Sequence, residues 1–97
     1  MNTRVWAPGQ TTGGPLDEVF RLVRARVADV VIERKVKQDD ADDDDLFFVR
    51  IVTNPEALEL ECQPGGRPPF IVSDEYSWID ASDAVAAAEA VHELLSA

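Results

Sequence analysis

Among 97 residues there is a single cysteine, a single histidine, a single tyrosine and a single methionine. Cys62 alone closes no internal disulfide, and with His92 as the only imidazole it cannot complete a structural zinc site, so neither staple is expected and no metal is. A reducing, cytoplasmic setting fits this composition best. No apolar run nears the roughly 18 residues of a membrane span, and residues 1–14 hold no apolar segment of the kind a secretory signal needs. Gly13-Gly14 and Gly65-Gly66 lack the strand context and the lysine of a phosphate-binding loop, and no cofactor is implied. Positive charge is also scarce, with 9 Lys and Arg against 19 Asp and Glu, a formal charge of −10. Such a field repels nucleic-acid backbones and anionic membranes and attracts basic partners.

What is present suffices for one folded domain: 45 % of residues are hydrophobic and 29 % charged, within the globular range. Residues 1–14 read as a flexible arm, since only Val5 and Trp6 can anchor it, and residues 15–97 as a single α+β domain. Pro15 starts a helix in which Leu16, Val19, Phe20, Val23 and Val27 form an apolar stripe, with Asp17 placed to pair with Arg21. Strands are expected over 30–37, 46–53 and 57–62, the first two separated by the acidic loop 38–45. Residues 69–79 supply one further strand or two. A final helix ends near Ser96, capped by Asp80 with Asp83 or by Ser82, with Ala84, Ala87, Ala88, Val91, Leu94 and Leu95 on one face. The order is helix, three to five antiparallel strands, helix, with both helices on one face of a two-layer domain.

On the other face, alternation places Glu33, Lys35 and Lys37 beside Phe48, Arg50 and Val52, and then Glu59 and Glu61. The loop acids Asp39, Asp40, Asp42, Asp43, Asp44 and Asp45 read either as a solvated turn or as a prong that occupies a basic groove. Calcium binding fits poorly: Asp40, Asp42 and Asp44 match the first ligands of a helix–loop–helix calcium loop, but Asp45 stands at the required glycine and Ile51 at the closing glutamate. Phe47 and Phe48 point to opposite faces, so one needs a cover, either Trp6 on the arm or a partner surface containing Phe48 and Val52. Tyr76 and Trp78 fall on one side of an extended segment. They serve the core or, rimmed by Asp74, Glu75 and Asp80, recognise a cationic surface.

No catalytic constellation is legible. His92 sits at the edge of the last helix's apolar face, and neither Cys62 nor Ser73 lies in a nucleophile motif, so the expectation is a protein without enzyme activity. In size, acidity and lack of catalytic residues the chain resembles bacterial immunity proteins, antitoxins and nuclease inhibitors, a likeness of general character that transfers no residue. It implies a small acidic binding protein that inhibits or masks a basic protein partner of toxin or nuclease type. Asp39, Asp40, Asp42–Asp45, Phe48, Asp74, Glu75, Tyr76 and Trp78 are the candidate contacts. The alternative is a chaperone-like or structural homodimer that holds an apolar client segment on the exposed sheet face.

Overall fold

The computed structural model describes residues 3–35 and 45–96. Their elements are β1 (Thr3–Val5), α1 (Leu16–Arg26), β2 (Val30–Lys35), β3 (Asp45–Ile51), β4 (Leu58–Gln63), β5 (Arg67–Ser73), β6 (Trp78–Ala81) and α2 (Ala84–Leu95). The strands form one six-stranded sheet in sequence order, with every neighbouring pair antiparallel. The α+β class and the two helices on one face follow the pattern of the sequence. The strand count and the element order do not: the sheet has six strands, and α1 lies between β1 and β2.

The missed strand lies in the stretch read as an arm. Thr3, Arg4 and Val5 pair with Lys35, Arg34 and Glu33, and the ladder continues as the Trp6 amide donates to the Ile32 carbonyl at 2.8 Å. Three residues are too few for a period-2 signal to emerge. Residues 69–79 resolve into two strands, joined by a turn in which the Asp74 amide donates to the Ser77 carbonyl at 3.0 Å. Pro68 and Pro69 occupy the start of β5, where the pairing with β4 is irregular. Proline has no N–H to give a ladder, so it settles where the ladder is already broken.

Both helices are seated by contacts that run outside their own turns. The Leu16 amide donates to the Gly66 carbonyl at 2.9 Å, and a β-carbon on Gly14 would come within 2.2 Å of the Gly65 carbonyl oxygen. Only glycine lets the β4–β5 turn approach the start of α1 so closely. Asp17 does not pair with Arg21; its carboxylate accepts from the Thr12 amide at 2.7 Å, the Thr12 hydroxyl at 2.9 Å and the Gly13 amide at 3.0 Å. Arg21 pairs with Glu18 instead. At α2 the cap is Asp83 itself, accepting from the Ala86 amide at 2.8 Å, because Asp80 still belongs to β6.

The core lies between the sheet and the helices. Ile32, Phe47, Val49, Leu58, Leu60, Cys62, Phe70, Val72 and Ala81 face Leu16, Val19, Phe20 and Val23 of α1 and Ala87, Ala88, Val91 and Leu94 of α2. Phe47 is fully buried and meets Trp6 and Phe20 edge-on, at centroid separations of 5.3 and 5.1 Å. The small residues of α2 let it lie close to α1 and the sheet. Among the described residues no helix is long and apolar enough to cross a membrane.

Candidate functional site on the open sheet face

The period-2 alternation that buries Phe47 sends Phe48 to the other side of the sheet, where neither helix lies. The residues on that side are all exposed or half-buried, from Val5 on β1 to Asp80 on β6. The expected cover is absent from Phe48, because Trp6 packs in the helix-covered core against Phe47. Phe48 stands directly between Glu33 of β2 and Glu59 of β3's other neighbour, β4. The row then runs through Ser73 to Trp78. A parallel row, one pleat along, reads Leu46, Glu61, Ile71 and Asp80.

Charge on this face is unevenly compensated. Glu33 accepts from the Thr3 hydroxyl at 2.8 Å and lies 4.0 Å from Arg50 Nε. Arg50's direct cross-strand neighbour is Val31, and its guanidinium also donates to the Val52 carbonyl at 3.2 Å. Glu59, Glu61 and Asp80 take part in no side-chain hydrogen bond or ion pair among the described residues. Three carboxylates unengaged among the described residues therefore flank half-buried apolar groups, with Lys35, Arg50 and Arg67 as the cations of this face within the same residues.

The sequence-derived contacts divide sharply. Asp39, Asp40, Asp42, Asp43 and Asp44 lie outside the described residues, as does Lys37. Asp45 does not belong to a solvated loop: it opens β3 on the core side at 4 % exposure, and Arg34 Nη2 donates to its Oδ1 at 2.8 Å. The same guanidinium lies over the Trp6 and Phe47 rings, at 5.5 and 5.7 Å. Val52 falls beyond β3, in a turn where its amide donates to the Asp29 carbonyl at 2.9 Å.

Tyr76 and Trp78 are 91 % and 65 % exposed, so neither serves the core, and they do not form a pair. Tyr76 sits in the β5–β6 turn, whose Asp74 Oδ1 accepts from the Tyr76 amide at 2.7 Å and the Ser77 amide at 2.6 Å. It borders a depression of about 390 Å³ with Glu56, Glu75, Leu94 and Leu95. Trp78 opens β6 on the open face opposite Ser73. Ile71, Leu46 and Asp80 complete the second row. Their alternation was readable, but which strands stand beside them is a tertiary fact.

The candidates for chemistry are dispersed. Cys62 is buried on the core side of β4, Ser73 is on the open face, and His92 is on α2 beneath the sheet. His92 Nδ1 faces Arg26 Nη1 at 3.3 Å, while its Nε2 is buried without a hydrogen-bond partner among the described residues. Burial, and then the positive charge of Arg26, hold the imidazole below its ordinary pKa, against an opposing pull from Glu89. Comparison with models of known protein families, with curated proteins and with solved structures finds no match.

Proposed function

We propose that this chain is a binding protein that masks a basic protein partner by docking it on the open sheet face. The observation that carries this reading is a set of apolar groups, Phe48, Ile71 and Trp78, interleaved with carboxylates of which Glu59, Glu61 and Asp80 have no side-chain partner among the described residues. Apolar groups that can be desolvated beside charges that select the partner's sign are the makings of a recognition surface. The molecular charge of −10 adds long-range attraction for a cationic partner and raises the rate of encounter. Occlusion, in the manner of an immunity protein or antitoxin, needs nothing more than such a surface. A cytoplasmic setting accords with the buried Cys62, which forms no disulfide.

The same apolar strip supports a second reading, a homodimer or client-holding dimer joined through this face. It is disfavoured by charge, because two copies would bring unpaired carboxylates together. Affinity capture from the source lysate at about 50 and about 500 mM salt, with wild type and the Glu59→Lys/Glu61→Lys variant, separates the two. A basic protein retained at low salt, released at high salt and absent with the variant is the expected result. Capture indifferent to both salt and charge reversal would overturn the masking reading.

A further inference from the structure

The open face repeats one arrangement twice. Glu33, Phe48 and Glu59 stand side by side on β2, β3 and β4; Glu61, Ile71 and Asp80 do so on β4, β5 and β6. Each is an acid, an apolar group and an acid on consecutive strands, and the second triplet begins on the strand where the first ends, two residues further along it. With strands about 4.8 Å apart, the carboxylates of each triplet are rooted about 10 Å apart with the apolar group midway.

That spacing selects the shape of what fits. In an extended segment, side chains on one face recur about every 6.8 Å and fall out of step with strands crossed at 4.8 Å. In an α-helix, positions i, i+3 or i+4, and i+7 lie on one face at about 0, 5 and 10.5 Å. A helix with a cation at i, an apolar residue at i+3 or i+4 and a cation at i+7 matches one triplet, and its next turns match the second. The full diagonal from β2 to β6 spans about 20 Å, the length of roughly fourteen helical residues.

We propose that these two triplets form a track for a basic amphipathic helix of a protein partner, with cations repeating about every seven residues. This rests on the masking reading above and deepens it by naming the partner's shape. A second copy of the chain is a poor occupant, since α1, its most basic helix, presents its apolar stripe to its own core through Leu16, Val19, Phe20 and Val23. Glu59, Glu61 and Asp80, which have no side-chain partner among the described residues, are the groups a cationic occupant would engage. Trp78, beside Asp80 on β6, provides an apolar stop at the far end of the track.

The test uses the full chain, isotopically labelled, and two synthetic peptides of about fourteen residues with identical Lys, Leu and Ala content. One places Lys at seven-residue intervals with Leu between them on the same helical face; the other permutes the same residues so that no face is formed. The patterned peptide is expected to bind at least about tenfold more tightly and to shift the amide resonances of Glu33, Phe48, Glu59, Glu61, Ile71 and Asp80. The Glu59→Gln/Glu61→Gln variant, altered only at surface positions, should lose most of that preference while keeping its circular dichroism. Equal binding by the two peptides, or shifts confined to 54–57 and 74–76, overturns the helix track and leaves a charge-driven basic partner standing. A self-associating chain in which the same resonances shift with protein concentration, before any peptide is added, overturns the track as well. No binding of either peptide at about 50 mM salt overturns both the track and the masking reading.

Discussion

Asp45 and Asp80 carry the same functional group to opposite fates. Asp45 is nearly sealed on the core side, where Arg34 donates to it at 2.8 Å, and Arg34's flat cation in turn lies over Trp6 and Phe47. Charge-assisted bonds at such a site are worth more than neutral ones, and an amide in place of the nearly sealed carboxylate weakens the bond it accepts from Arg34. Asp45→Asn is therefore expected to lower stability by about 1–3 kcal/mol, whereas Asp80→Asn, on an exposed position with no side-chain partner among the described residues, should stay within about 0.5 kcal/mol. Urea unfolding of the two variants checks the contrast, and equal midpoints would contradict the role assigned to Asp45. In the sequence Asp45 is merely the last member of an aspartate run. What sets it apart is the β2–β3 register that brings Arg34 opposite Phe47, a long-range fact that local charge counting cannot supply. The place of Phe48 on the open face is readable because adjacent strand positions must diverge, yet whether Trp6 covers it is settled only by the packing of Trp6 against Phe47.

The two helices meet near their C-terminal ends through Arg26 and His92. Protonating His92 there adds a positive charge beside Arg26 in a partly desolvated position, so the folded protein holds the imidazole neutral to a lower pH than the unfolded chain does. The unfolded state then binds more protons in that interval, and stability falls as pH drops from the ordinary histidine value of 6.5 through the lowered folded-state value. Thermal midpoints at about pH 7.5 and 5.5, above the range where most carboxylates titrate, should show a loss in wild type and a smaller one in His92→Gln. Identical losses would place the titration elsewhere. At this scale the sequence was most informative. Apolar residues recurring every three or four positions mark α1 and α2, β-branched alternation marks β2, a dense β-prone apolar run marks β3, and the alternation of Leu58, Leu60 and Cys62 with Glu59 and Glu61 marks β4. The cap of α2 falls on Asp83, one residue past Ser82 and three past Asp80, because all three are good capping types and only the end of β6 decides among them. β1 had no comparable signal, since a three-residue edge strand owes its existence to the partner it pairs with.

For the molecule as a whole, the excess of acid was plain from composition, and Glu33, Glu59 and Glu61 were legible as neighbours on one face. That this face stays clear of both helices is legible in the same alternation, whereas the seating of Trp6 on the core side is not, because it follows from the pairing of β1 with β2, which three residues do not signal. The consequence of that charge is measurable. The chain carries ten excess negative charges, six of them on the described residues, on a fold of 35 × 29 × 27 Å. At about 0.01 M salt the screening length is near 30 Å, so nearly every carboxylate feels every other, while at about 0.15 M it is near 8 Å and only neighbours interact. Unfolding relieves the repulsion by spreading the chain, so salt should stabilise the fold over this interval. Each 1 kcal/mol so recovered raises the thermal midpoint of a domain this size by roughly 4–8 °C. Sodium chloride and choline chloride should act alike if screening is the cause, and a flat or falling midpoint would mean that the acids are already neutralised within the fold. The binding proposed for the open face must respond with the opposite sign: the same added ions that relieve crowding among Glu59, Glu61 and Asp80 weaken their attraction for a cationic partner. A complex that tightens with salt, on a protein that is itself stabilised by it, would therefore assign the face to apolar contact alone.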